Sequence, residues 1–237
     1  MFGPDPIDLY DPSPYGPLAY YGHLLIGVVA LGAALIAFFV TKGGRVHRLS
    51  GYVFITAVGA VCLTSVSMLN EAFIPPLFMA VFTAAYCLGG AWLALHRRST
   101  AVLAAEAGLS VFELIGLLIF FQIAFAAVAD GIIPAFAPFV IAAIPAALLI
   151  GDLNWFFRQG TRSSLRISRH LSRMVWGFVV VLRAPMVELA AGGLPIPQPV
   201  VIIGPILLAI GMIWYFRRKM TKRPVHSDVA ITAVPSR

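Results

Sequence analysis

Long apolar segments alternate with short polar loops along this chain. A helix that crosses a bilayer needs about 20 mainly apolar residues. Seven segments meet that requirement, at residues 19–41, 50–70, 75–95, 106–128, 133–156, 171–191 and 197–216. The fifth contains Pro134, Pro138 and Pro145, and we expect a kinked span there because neighbouring groups can satisfy the carbonyls that a proline frees. The pattern predicts an all-α, seven-span transmembrane helix bundle.

Composition agrees with a membrane-embedded chain. The 237 residues are 60% hydrophobic and 11% charged, with a mean hydropathy of +0.91, whereas soluble domains carry about 25% charged residues. The net charge of +7 does not indicate a nucleic-acid partner, because the basic residues form short runs beside apolar segments. Cys62 and Cys87 lie inside apolar segments, so we expect packed thiols and no disulfide.

The distribution of lysine and arginine predicts the topology. Fifteen of the seventeen follow the first, third, fifth and seventh segments, and basic loops stay in the cytoplasm. The N-terminus is therefore predicted outside and the C-terminus inside. We divide the chain into an extracytoplasmic lead-in (1–18), a membrane domain (19–216) and a basic cytoplasmic tail (217–237). Each cytoplasmic loop carries basic residues and one histidine, which suggests three helical hairpins followed by a final helix.

One cytoplasmic loop holds a stripe of arginines. Its members are spaced by four, four, three and four residues, so on a helix they share one side; they are Arg158, Arg162, Arg166, Arg169 and Arg173. We expect this side to lie in the wet headgroup layer and to bind anionic phospholipid or another anion. The alternative is a topology signal alone, which explains the number of charges but not their common side.

Three histidines are candidate ligands. His47 and His170 stand at the cytoplasmic starts of the second and sixth spans, and His23 lies in the first outer turn of the first span. Imidazole is a common ligand, so His47 and His170 together could hold haem b or a metal ion in a redox protein. The chain has no HxxxH or CxxCH motif, and the alternative is that these histidines are interfacial anchors.

Four ionisable residues lie within the predicted spans: Glu113, Asp152, Arg183 and, near an outer end, Glu188. Charged groups at membrane depth are costly and often mark ion or proton paths. One hypothesis is therefore a small proton-coupled transporter that uses Glu113, Asp152 and Arg183. The favoured alternative is structural ion pairing, in which Arg183 has an acidic partner among Glu71, Asp130 and Glu188.

Three stretches resemble a known family. They are HLLIG at 23–27, KGGRVHRLSGYVF at 42–54 and RHLSRMVWGF at 169–178, and they are similar to prokaryotic multi-span proteins of domain-of-unknown-function family 2306. The matching residues are His23, Gly27, Lys42, Gly43, His47, Arg48 and Gly51. The resemblance covers about the first 70 residues well and the rest loosely. It implies a protein of the bacterial cytoplasmic membrane and supplies no activity.

These observations favour a non-enzymatic role. No Walker A motif, dinucleotide fingerprint or nucleophile elbow is present. The favoured function is a polytopic protein of the bacterial inner membrane that organises anionic lipid, a partner subunit or a second copy of itself at its cytoplasmic face. The haem or metal protein and the proton-coupled transporter remain as alternatives.

Overall fold

The computed structural model describes residues 17–71, 74–191 and 193–221. Within those ranges the protein is all-α and contains no strand. The helices are α1 (Pro17–Phe39), α2 (Arg45–Glu71), α3 (Pro75–Ala94), α4 (Thr100–Ala129), α5 (Ala137–Phe157), α6 (Arg162–Ala191) and α7 (Gln198–Thr221), with a short 3-10 turn at Gln159–Thr161. The predicted lead-in up to residue 16 and the tail from 222 onward lie outside the described residues.

Six of the seven α-helices in the described part of the chain are long and apolar enough to cross a membrane. They are α1 to α5 and α7, which is the arrangement of a multi-pass membrane protein. The remaining helix, α6, includes two residues whose side chains are not described, Glu188 and Ala191. Its passage across the membrane stays a prediction.

Several helices extend beyond the predicted spans. α2, α4 and α6 begin five or more residues earlier, because hydropathy detects only the apolar part of a helix. Ser99 caps α4, its Oγ accepting from the Val102 amide at 3.2 Å, as an N-cap serine does. Of the three prolines in the fifth segment, only Pro145 lies in the interior of α5.

The last helix extends beyond the seventh apolar segment. α7 continues through Thr221, so Arg217, Arg218 and Lys219, the first basic residues of the predicted tail, are helical. Cations there are favourable, because the C-terminus of a helix carries partial negative charge.

α3 is the central helix of the bundle. α1 pairs closely with α2, while α3 packs against α2, α4 and α6. α6 also packs against α7 and touches α1. A close approach makes the α3–α6 contact possible: a Cβ at Gly177 would lie 2.8 Å from Leu88 Cδ2. Small residues have this use in membrane helix pairs.

The third predicted hairpin, α5 with α6, is joined by side-chain contacts and not by close backbone packing. α5 packs on α4, whereas α6 turns to α3 and α7, and the described parts of α5 and α6 make little backbone contact. Short loops favour adjacent helices, but the small-residue contact at Gly177 gives α6 a better partner in α3. Asp152 on α5 forms ion pairs with Arg169 and Arg173 on α6, and beside these pairs a gap lies between α5 and the α6–α7 pair.

Candidate functional site

A buried aspartate on α5 lies at the centre of a charged network. Asp152 is 2% exposed. Its Oδ2 accepts from the Tyr86 hydroxyl at 2.5 Å and the Ser110 hydroxyl at 2.8 Å. Its Oδ1 forms ion pairs with Arg169, at 2.7 Å, and with Arg173. Four donors from α3, α4 and α6 therefore hold one carboxylate, which satisfies the requirement that a buried charge be paired and hydrogen-bonded.

Arg173 joins this carboxylate to α3. Its Nη2 also donates to the Tyr86 hydroxyl at 3.0 Å and to the Leu148 carbonyl at 3.1 Å. Its guanidinium lies 4.3 Å from the centroid of the Tyr86 ring, a cation–π distance. Its Nη1 is buried and has no hydrogen-bond partner among the described residues.

A second buried ion pair joins α4 to the start of α6. Arg162 donates to both carboxylate oxygens of Glu106, at 2.7 and 2.9 Å, in the bidentate geometry that makes such pairs strong. Trp155 donates its indole N–H to Glu106 at 3.2 Å. The guanidinium groups of Arg162 and Arg169 lie 4.7 and 4.6 Å from the Trp155 ring. The Trp155 ring thus contacts both the Glu106–Arg162 ion pair and Arg169 of the Asp152 network.

Glu106 is not among the site residues that the sequence predicts, because it stands at the edge of an apolar segment. A signal was present: Glu106, Ser110 and Glu113 are spaced by four and three residues, so they share one side of α4. That side faces the buried network, and Ser110 and Glu106 both contribute contacts to it.

The expectation that all five arginines of the stripe lie in the wet headgroup layer is wrong. Arg162 and Arg173 are buried, and Arg169 pairs with Asp152. Arg158 lies at the C-terminus of α5 and outside α6, while Arg158 and Arg166 are exposed. The expectation failed because it did not pair the arginines with Glu106 and Asp152, whose charges allow three arginines to enter the bundle.

Glu113 is a third buried carboxyl. It is 0% exposed, and the Thr83 hydroxyl donates to its Oε1 at 2.8 Å. Its Oε2 is buried and has no hydrogen-bond partner among the described residues. It makes no ion pair with any described side chain.

The predicted acidic partner of Arg183 stays a prediction. Arg183 is half-buried and forms no ion pair with a described carboxylate. Asp130 is exposed. The side chains of the other two candidates, Glu71 and Glu188, lie outside the described residues.

The gap beside α5 forms an open cleft of about 750 Å³. One wall is apolar and is built largely from α5; it includes Ala143, Ile144, Ala147 and Leu148. The polar part of the lining contains four arginines, namely Arg158, Arg169, Arg173 and Arg217, and no carboxylate among the described residues. A cleft of this size and lining fits a ligand that has both an apolar chain and a negative charge.

His47 and His170 have corresponding hydrogen bonds at two helix ends. The Nδ1 of His47 donates to the Ala37 carbonyl near the end of α1 at 3.1 Å, and the Nδ1 of His170 donates to the Ala91 carbonyl near the end of α3 at 2.9 Å. The last carbonyls of a helix lack partners within the helix, so each imidazole satisfies one of them. His23 is hydrogen-bonded to Thr64 on α2 at 3.0 Å.

The haem or metal hypothesis stays a prediction. The bonds at Nδ1 leave Nε2 of His47 and His170 as the ring atom that would ligate. Across the described residues, no group of three or more His, Cys, Asp or Glu side chains is placed to hold a metal ion.

The turn that carries the family resemblance ends α1. Lys42 donates its Nζ to the carbonyls of Ala37 and Phe38 at 2.8 and 2.6 Å, and His47 shares the first of these carbonyls. Gly43 has a φ of +79°, a conformation that glycine adopts without strain. Lysine, glycine and histidine at this spacing therefore have a structural role as a helix cap.

Comparisons with known proteins add no family to this description. No protein-family model, no curated protein and no solved structure matched the chain.

Proposed function

We propose that this protein is a multi-pass protein of the bacterial inner membrane that holds an anionic phospholipid in the cleft between α5, α6 and α7. The observation that carries the proposal is the lining of the cleft, where an apolar wall meets four arginines. An acyl chain would lie along α5, and the phosphate would lie among the guanidinium groups. A role in organising anionic lipid follows from this binding.

The local charge favours an anion. Asp152 pairs with both Arg169 and Arg173, and one carboxylate neutralises only one of these two positive charges. Arg158 and Arg217 add further positive charge at the cleft. Basic residues near an anionic membrane surface contribute about 1 kcal/mol each to lipid binding, so the cleft supplies enough electrostatic energy to select an acidic headgroup.

The proposal predicts that the paired substitution Arg158→Gln with Arg217→Gln weakens binding of phosphatidylglycerol about tenfold or more, at about 1 kcal/mol per arginine. Both residues line the cleft, and neither takes part in the Asp152 ion pairs. Binding is measured by titrating the detergent-purified protein with short-chain phosphatidylglycerol. The matched control is Arg97→Gln with Arg98→Gln, which removes the same charge from the exposed loop between α3 and α4. Equal losses in the two double variants would contradict a specific cleft site.

We also propose the topology that places this cleft at the cytoplasmic face, with seven spans, the N-terminus outside and the C-terminus inside. The basic loops support it, as do the ion pairs of Arg162 with Glu106 and of Arg173 with Asp152, which lower the cost of placing α6 in the membrane. The resemblance to domain-of-unknown-function family 2306 implies the same membrane.

A reporter fused after residue 220 tests the topology. We expect activity from a reporter that works only in the cytoplasm and none from one that works only in the periplasm. Periplasmic activity at this position would reverse the orientation and place the cleft on the wrong face.

A further inference from the structure

The buried charges of the network balance only if Glu113 is counted. Arg162, Arg169 and Arg173 face two ion-paired carboxylates, Glu106 and Asp152. With Glu113 ionised, three arginines meet three carboxylates. With Glu113 protonated, one positive charge is in excess, and an excess charge in a low-dielectric interior attracts an anion strongly.

We connect Arg173 with Glu113 because both are hydrogen-bonded to α3, Glu113 to Thr83 and Arg173 to Tyr86, three residues further along that helix. Arg173 Nη1 and Glu113 Oε2 are complementary groups, a donor and an acceptor, and both are buried without a hydrogen-bond partner among the described residues. Buried guanidinium nitrogens of Arg162 and Arg169 also have no hydrogen-bond partner among the described residues, so the shared position on α3 is what distinguishes Arg173. Arg173 also lines the cleft. Arg173 therefore links the side of α3 that holds Glu113 to the proposed lipid site.

The groups facing Glu113 come from three neighbouring helices. Thr83 and Cys87 belong to α3, Asp152 to α5 and Arg173 to α6. On its own helix, the other carboxylate is Glu106, which is already held by Arg162. The charged groups that Glu113 senses are thus Arg173 and Asp152, and Asp152 is itself paired with two arginines.

We infer that an anionic headgroup in the cleft and the carboxylate of Glu113 compete for the charge of Arg173, so that the cleft binds lipid more tightly when Glu113 carries a proton. The inference rests on the proposed function and adds a regulator to it, the proton. Coupling between two sites is reciprocal, so lipid binding must also draw a proton onto Glu113.

The experiment compares wild type with Glu113→Gln, which imitates the protonated side chain in shape and charge. Phosphatidylglycerol is titrated into each detergent-purified protein at a series of pH values around neutrality, where the phosphate of this lipid stays ionised. Wild-type affinity should fall by about fivefold or more as the pH rises, the lower end of typical coupling. Glu113→Gln should bind at the low-pH affinity throughout. Asp130→Asn, which removes an exposed carboxylate, should titrate like wild type.

A second measurement uses wild type alone, so that it does not depend on the folding of a variant. In weak buffer near neutral pH, adding phosphatidylglycerol should make the protein take up protons, detected with a pH-indicator dye. Lipid binding with no proton uptake, or with the same pH dependence in Glu113→Gln, would overturn the linkage and leave the lipid site standing. No binding of phosphatidylglycerol at any pH would overturn the lipid site and the linkage together.

Discussion

Replacing Asp152 with alanine should lower the free energy of unfolding by about 3–5 kcal/mol, the usual cost of removing one partner from a buried ion pair. Asp152 is the shared partner of Arg169 and Arg173, so its loss leaves two guanidinium groups without a carboxylate. Thermal unfolding of the detergent-purified protein, followed by circular dichroism, provides the measurement.

The control for this prediction is Asp130→Ala. Asp130 is an exposed aspartate between α4 and α5, and its removal should change stability by less than about 0.5 kcal/mol. If the two alanine variants melt at the same temperature, the arginines reach water in solution and the buried network is not formed.

Removing Glu106 should lower the free energy of unfolding by a comparable amount, and a second substitution should restore most of it. Glu106→Leu alone leaves Arg162 buried without its bidentate partner and should cost about 3–5 kcal/mol. Combining Glu106→Leu with Arg162→Met should recover most of that loss, because apolar residues of similar volume often replace a buried ion pair at little cost.

The comparison of the single and double variants can be made by chemical unfolding in a single detergent. Recovery of the free energy of unfolding in the double variant would show that the pair adds little net stability and mainly positions α6 against α4. A double variant that is less stable than Glu106→Leu would show instead that Arg162 has a second essential contact, for which its place 4.7 Å from the Trp155 ring is the candidate.

The apolar pattern predicts the bodies of the helices well and their starts poorly. Hydropathy identifies only the apolar part of a helix. α4 and α6 begin with polar turns that are helical but are not apolar enough to be detected. Helix pairing is harder to predict. The short connection predicts contact between α5 and α6, which ion pairs supply. The close packing of α6 on α3 at Gly177 and Leu88 is not predicted, because a single glycine in an apolar segment does not reveal its partner.

The sequence predicts many of the residues of the candidate site but not how they are arranged. The spacing of the arginines predicts that they share one side of a helix, but their environment depends on carboxylates far away in the chain. Tyr86 is 66 residues from Asp152, and Arg162 is 56 residues from Glu106. One sequence does not reveal pairings over such distances. Three arginines that are predicted in the headgroup layer therefore lie beside buried carboxylates in the structure.

The lipid site is tested most directly by an experimental structure of the protein in a bilayer that contains phosphatidylglycerol. The lining of the cleft predicts a bound lipid between α5, α6 and α7, with its phosphate within hydrogen-bond distance of Arg158, Arg169, Arg173 or Arg217 and one acyl chain along Ala143 and Ala147. A cleft that holds no lipid, or one filled by neutral lipid with no phosphate near these arginines, would contradict the proposal.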